Sequence, residues 1–301
     1  MAQVWMNGVF VDETAAAVPI RDAGLLHGAG VFTTMRSYAG RVFRLEHHLQ
    51  RLRHSCEALF VPLQYRDDAL IEAANELLRR NGLGDARMRL TVTRGSVSQD
   101  PLHGMRVEPN VFLTAAPLEP YPIEYYQKGL TVVVLDEQKL NPYDLQAGHK
   151  TLDYFSRLAA LREANRRGAG EALWFNVHNY LQSGSISNVF LVEDGKLVTP
   201  PTAEELRDPK VSGATPYPRS NVLPGITRAV VMELARSAGI EVITAGIDIN
   251  RLLGAGELFL TNSIMGVMPV CRIERKPVGD EKPGETTSGL AAEYAQLVSP
   301  Q

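Results

Sequence analysis

Val31-Phe32-Thr33-Thr34-Met35-Arg36-Ser37-Tyr38-Ala39-Gly40-Arg41-Val42-Phe43 decides how the chain folds. Two strand-like runs, Val31–Arg36 and Arg41–Phe43, flank Ala39-Gly40, and glycine supplies a turn with positive φ at no steric cost, so a β-hairpin is expected. A shorter hairpin precedes it, with Val4-Trp5-Met6 and Val9-Phe10-Val11 around Asn7-Gly8, a dipeptide suited to a type I′ turn. Downstream the apolar period lengthens. Leu45, Leu49, Leu52 and Leu59 predict an amphipathic helix over 45–60, and a second helix over 67–80 should stop at Asn81-Gly82. Strand character returns in Arg87–Thr93 and in its expected partner Asn110–Thr114.

Pro117, Pro120 and Pro122 exclude helix and central strand from 116–122. The expected division is therefore an N-terminal domain at 1–116, a linker at 117–125 and a C-terminal domain at 126–301 that carries Lys150. Within the last, strands are predicted at 130–135, 172–176, 257–261 and 267–273, a hairpin turns at Asp194-Gly195, and helices cover 152–167, 226–238 and the stretch from 285. Hairpins and helices without regular βαβ alternation give an α+β fold. Residues 202–221 are polar and proline-bearing, and a loop or lid is expected there.

The 301 residues are 45% hydrophobic and 22% charged, which excludes a disordered, collagenous or coiled-coil chain. Thirty-one basic against 34 acidic residues leave a net charge of −3, so neither nucleic acid nor an anionic membrane is an expected partner. Cys56 and Cys271 form no CxxC pair and read as buried thiols, and no metal site is expected. The opening MAQVWMNGVFVDE has neither a basic n-region nor an apolar h-region, so a cytoplasmic protein is expected.

Lysine is scarce: the first is Lys128. Lys150 follows Gly148-His149 and precedes the predicted helix, where an amine can be partly desolvated and still reach a carbonyl, although a lysine at a helix start is ordinarily a solvated charge. Three further segments suit a phosphate: Arg51 in His48-Leu49-Gln50-Arg51, the helix start Pro224-Gly225-Ile226-Thr227-Arg228, and the strand end Thr261-Asn262-Ser263. Each alone reads more readily as a surface charge, an ordinary helix start or a turn.

Together these motifs resemble the class IV (fold type IV) pyridoxal-phosphate enzymes, namely branched-chain aminotransferases, D-amino acid aminotransferases and aminodeoxychorismate lyases. The ordered matches run from Met6-Asn7-Gly8 through His27-Gly28-Ala29-Gly30, His48-x-x-Arg51-Leu52, Thr93-Arg94-Gly95, Lys150-Thr151-Leu152, Ser187-Asn188-Val189-Phe190 and Pro224–Arg228 to Val267-Met268-Pro269-Val270. The resemblance implies an N-terminal α/β domain, a C-terminal pseudo-barrel domain and a homodimer. It implies that Lys150 binds pyridoxal 5′-phosphate covalently and shuttles the proton, and that Arg51, Ile226, Thr227, Asn262 and Ser263 hold the phosphate.

Phe32-Thr33-Thr34-Met35-Arg36 is similar to the lyases, since many aminotransferases carry Glu where Thr33 stands; Thr33 and Thr34 are then candidate pocket hydroxyls. Arg36, Arg89 and Arg94 are candidates for binding an amine substrate that bears carboxylates. One position departs from the family: Ser183 stands where a Glu ordinarily pairs with the protonated pyridine nitrogen, and a hydroxyl cannot supply that charge-assisted bond. The leading expectation is a lyase converting 4-amino-4-deoxychorismate to 4-aminobenzoate and pyruvate, a step of folate biosynthesis. The alternatives are an aminotransferase for D-amino or branched-chain amino acids, and a cofactor-binding protein with little catalysis.

Overall fold

Asn7 and Gly8 take φ of 50° and 95° and turn β1 (Gln3–Met6) onto β2 (Val9–Asp12). These and all other features come from a computed structural model describing residues 2–100, 104–135 and 138–299, with side chains throughout except at 97–100 and 104–107. The helix α1 (Ala23–His27) follows, capped by Asp22, which accepts from the Gly24 N–H. The hairpin expected at Ala39-Gly40 joins β3 (Gly30–Tyr38) to β4 (Arg41–Val42), both turn residues having positive φ.

Next come α2 (Leu45–Ala58), α3 (Asp67–Arg80), β5 (Ala86–Thr93), β6 (Ser96–Asp100), β7 (Gly104–Glu108) and β8 (Val111–Pro117). Six strands form an antiparallel sheet in the order β2-β1-β8-β5-β3-β4, and β6 pairs with β7 in a separate hairpin. Leu45, Leu49 and Leu52, which set the helical period of α2, share one core with Leu70 and Leu77 of α3 and with Val31, Met35, Met88 and Leu90 of the sheet. Because side chains alternate along a strand, Val31, Thr33 and Met35 face this core, and Phe32, Thr34 and Arg36 lie on the other face.

The chain continues through α4 (Ile123–Lys128), β9 (Leu130–Val134), α5 (Phe155–Arg166), β10 (Glu171–Phe175), β11 (Leu181–Gly184), β12 (Asn188–Glu193) and β13 (Lys196–Thr199). It ends with α6 (Pro209–Gly213), α7 (Ile226–Ser237), β14 (Val242–Thr244), α8 (Ile249–Leu253), β15 (Glu257–Asn262), β16 (Gly266–Ile273), β17 (Lys276–Pro277) and α9 (Glu285–Val298). The strands make a nine-stranded mixed sheet, ordered β11-β10-β9-β16-β15-β12-β13-β14 with β17 on β16. Its own core contains Phe175, Leu191, Leu260, Met268 and Val270.

Two compact units result: Met1–Glu119 with His149–Tyr154 and Val298–Gln301, and Pro120–Gly148 with Phe155–Leu297. This division differs from the expected one in two ways. The stretch 117–125 is not all linker, because β8 extends to Pro117 and α4 begins at Ile123, directly after the last proline. Lys150 belongs with the first unit, because Lys150–Leu152 runs along β3: the Phe32 N–H donates to the Lys150 carbonyl at 2.9 Å, and the Leu152 N–H donates to that of Gly30 at 2.9 Å. That ladder delays α5 to Phe155, three residues after the predicted start.

Residues 202–221 hold a 3₁₀ turn at Glu205–Arg207 and α6, whose Asp208 cap and Pro209 start are an N-terminal signature. Ser220 donates to the Pro201 carbonyl at 2.6 Å, and Arg228 grips Glu205 through two bonds of 2.8 and 2.9 Å, so the expected loop is a pinned part of the second unit.

Candidate active site

Thr151 bridges to Val31, which puts Lys150 opposite Phe32 and on the outer face of β3. The Lys150 Nζ lies 4.6 Å from the Phe32 ring centre and 4.9 Å from that of Tyr154, and it donates to the Tyr154 hydroxyl at 3.2 Å. Two aromatic surfaces thus shield the amine from water while leaving it half-buried, the setting a nucleophilic lysine needs.

The same face carries arginines. Thr34 pairs with Arg89 and Arg36 with Arg87, so alternation aligns all four with Phe32. The Arg89 guanidinium stacks 3.5 Å from the Phe32 ring centre and donates from Nε to Thr91 at 3.1 Å; burial holds its pKa below the ordinary guanidinium value. Arg36 lies 4.3 Å over the Tyr38 ring. Among the described residues no carboxylate pairs with Arg89. Arg94 is not part of this row: it sits beyond the end of β5, its N–H on the Ala29 carbonyl and its Nε buried without a hydrogen-bond partner among the described residues.

The two threonines part company by the same rule. Thr34 shares the face of Lys150, whereas Thr33 turns toward α2, where its hydroxyl accepts from Arg51 Nη2 at 3.0 Å and meets His48 Nδ1 at 2.7 Å. Desolvation, with Arg51 adding to it, keeps His48 neutral and far below its usual pKa. The Thr33 proton is therefore assigned to His48 Nδ1, with the ring hydrogen on Nε2. Burial lowers Arg51 to about 10. Thr33 accordingly orients Arg51. Nothing in the sequence marks His48 for this role, because a helical histidine beside leucines signals only burial.

In the second unit Ser183 pairs with Trp174 across β10 and β11 and is 5% exposed. Arg157 Nη1 donates to the carbonyls of Gly184 and Ser185 at 3.1 and 3.2 Å and to the Ser183 hydroxyl at 3.4 Å. The buried Glu171 accepts from the Ser185 and Ile186 N–H groups and from the Ser187 hydroxyl, and burial raises its pKa. Sequence reasoning missed both charges, since neither stands in a motif.

Helix α7 opens at Ile226-Thr227 behind Gly225, an N-cap without a side-chain cap, so its first N–H groups face outward as donors. A Cβ on Gly225 would lie 1.9 Å from Asn188 Oδ1, and Asn188 in turn donates to the Leu223 carbonyl at 2.9 Å and pairs with Thr261. Asn188 therefore ties the start of α7 to the end of β15. There Asn262 Oδ1 accepts from the Ile264 and Met265 N–H groups, each at 2.9 Å, which shapes the turn that presents Ser263. The Thr261 hydroxyl is buried without a hydrogen-bond partner among the described residues.

Among the described residues there is no group of three or more side chains able to hold a metal ion, and no helix long and apolar enough to cross a membrane.

The first unit thus holds a half-buried lysine between two aromatic rings, and the second holds a helix start at which only glycine fits beside Asn188. The chain belongs to the class IV aminotransferase family, whose model matches residues 30–208 and 212–273. It is 32% identical to a putative branched-chain-amino-acid aminotransferase of Methanocaldococcus jannaschii, covering 98% of this chain and 96% of the relative. It is 26% identical to the aminodeoxychorismate lyase of Bacillus subtilis, covering 98% and 94%. The branched-chain amino acid aminotransferase from Thermobaculum terrenum, solved in its PLP form, superposes with a TM-score of 0.82 at 25% identity, covering 99% of this chain and 94% of that one. The architecture is thus fold type IV, and the cofactor is pyridoxal 5′-phosphate.

The residues present fit that group. Within the first unit Lys150 offers a shielded amine and Arg51 a desolvated cation; within the second, the α7 start offers backbone N–H groups without a side-chain cap, and Thr261 has a buried hydroxyl without a hydrogen-bond partner among the described residues.

Proposed function

We propose that the protein is a lyase that converts 4-amino-4-deoxychorismate to 4-aminobenzoate and pyruvate, acting as a cytoplasmic homodimer. The observation that carries this reading is the row of arginines, Arg36, Arg87 and Arg89, on the face of β3 and β5 that holds Lys150. A substrate with two carboxylates suits such a face, where Arg89 stacks on Phe32 and pairs with no carboxylate among the described residues.

Bound pyridoxal phosphate supplies a carbonyl that takes up the substrate amine and a ring that draws electron density from the adjacent carbon. In the first unit Arg51, fixed by Thr33, would offer the phosphate a cation; in the second, the backbone N–H groups of Ile226 and Thr227 and the turn at Asn262-Ser263 would offer it donors. Lys150 Nζ removes the proton from the amine-bearing carbon of the substrate, and the Tyr154 hydroxyl positions that amine. Arg89 and Arg36 orient the carboxylates. The ether bond to the enolpyruvyl group breaks as the ring becomes aromatic, and Lys150 returns the proton to the departing three-carbon unit, which leaves as pyruvate.

A second reading, an aminotransferase, is supported by relatives at 30–32% identity that are named branched-chain-amino-acid aminotransferases, one of them as putative. One experiment separates the two. Cofactor-loaded protein is mixed with 4-amino-4-deoxychorismate while 4-aminobenzoate fluorescence and pyruvate are followed, and in parallel with leucine or D-alanine and 2-oxoglutarate. Equimolar 4-aminobenzoate and pyruvate support the lyase; amino transfer to the oxo acid without 4-aminobenzoate overturns it.

A further inference from the structure

Ser183 sits inside a clamp of opposite charges. On one side Arg157 Nη1 donates to the Gly184 carbonyl at 3.1 Å and the Ser185 carbonyl at 3.2 Å. On the other, Glu171 accepts from the Ser185 N–H at 2.9 Å and the Ile186 N–H at 3.2 Å. Two successive peptide groups, Gly184-Ser185 and Ser185-Ile186, therefore each have their carbonyl on the cation and their N–H on the anion. Bonds arranged head to tail polarise one another, and the segment that presents Ser183 is held from both sides. Glycine is required at 184, where a Cβ would lie 2.2 Å from Ser187 Oγ and 2.9 Å from the Glu171 carboxyl.

The cation reaches one atom further, since Arg157 Nη1 also donates to Ser183 Oγ at 3.4 Å. A serine hydroxyl has one proton and two lone pairs. With a lone pair turned to Arg157, the O–H is left to donate, and no hydrogen bond donated by Ser183 occurs among the described residues. We propose that Arg157 is a positioning residue that acts through Ser183 to keep the pyridine nitrogen of bound pyridoxal phosphate unprotonated. The inference rests on the reading that Ser183 faces that nitrogen. A donor hydroxyl needs an acceptor there, and a pyridinium next to a guanidinium at a site screened from water would set two like charges together. The fixed positive charge takes the place of the carboxylate that the Ser183 position lacks. It selects a weaker electron sink, which elimination of a good leaving group tolerates better than amino transfer does.

The test uses holoenzyme loaded with pyridoxal phosphate labelled with ¹⁵N in the ring, whose ¹⁵N chemical shift reports ring protonation without turnover. The wild type should show an unprotonated nitrogen across the pH range in which it stays folded. Arg157→Gln, which keeps donors for the two carbonyls and removes the charge, should raise the midpoint of ring protonation by about one to two pH units, a ten- to hundredfold change in that equilibrium. Arg157→Lys should restore the wild-type signal, and Arg157→Met provides a second neutral variant if Gln misfolds. Ser183→Glu should protonate the ring outright. If Ser183→Glu protonates the ring and both neutral Arg157 variants keep the wild-type signal, the role of Arg157 is refuted. If Ser183→Glu leaves the signal unchanged, Ser183 does not face the nitrogen, and the reading beneath the proposal falls with it.

Discussion

Gly225→Ala tests whether the start of α7 tolerates only glycine beside Asn188. Its φ of −70° and ψ of 135° suit alanine, so the backbone itself raises no objection. The obstacle is the new methyl carbon, 1.9 Å from Asn188 Oδ1 and 3.0 Å from its Cγ. Asn188 is 7% exposed and donates to the Leu223 carbonyl at 2.9 Å, so moving it breaks a largely buried hydrogen bond, a loss of about 1–3 kcal/mol. Alanine is also a poorer N-cap than glycine by about 0.5–1 kcal/mol, so the expected cost is about 1.5–4 kcal/mol. In an Asn188→Ala background the methyl has room, and the same change should cost only the capping part. Urea unfolding of the four proteins of this cycle should give a coupling of about 1–3 kcal/mol, and cofactor affinity should fall with Gly225→Ala and recover in the double variant. Additive costs, within about 0.5 kcal/mol, would refute the close approach of Gly225 and Asn188.

Arg89→Met should lower kcat/KM for a dicarboxylate amine by about 10- to 150-fold, the worth of a charge-assisted bond, with the loss mainly in KM; an unchanged KM in steady-state assays would remove Arg89 from substrate binding. His48 is held neutral in the fold and has an ordinary value of 6.5 once unfolded, so below that pH the unfolded chain binds the extra proton and stability falls; urea titrations from pH 7.5 to 5 should show this loss, and His48→Gln should flatten it. Burial raises Cys56 to about 12 and Cys271 to about 11, so neither thiol of the native protein should react with a disulfide reagent at pH 8, and both should react in guanidinium. Arg228→Ala strands the Glu205 carboxylate and should cost about 3–5 kcal/mol in unfolding experiments.

The sequence by itself determined every element whose signal is local. Asn7-Gly8, Ala39-Gly40 and Asp194-Gly195 fix their hairpins because each needs positive φ at both turn residues, and the spacing of Leu45, Leu49 and Leu52 fixes α2 because one face must be buried. The ordered motifs likewise revealed the family and with it the cofactor, since Lys150, Arg51 and the Gly225–Thr227 start are ordinary taken singly and distinctive only in their order along the chain. Tertiary structure decided what depends on pairing between distant segments. Lys150 joins the face of Phe32, Thr34 and Arg89 only because residues 150–152 add to β3, and no local pattern encodes that ladder. Thr33 and Thr34 look equivalent in the chain, yet the alternation of a strand sends one to Arg51 and the other to the face of the lysine. Arg157 and Glu171 are ordinary charges in sequence. They meet at the peptides beside Ser183 because β10 pairs with β11, and burial there makes each charge depend on the hydrogen bonds the other helps to align.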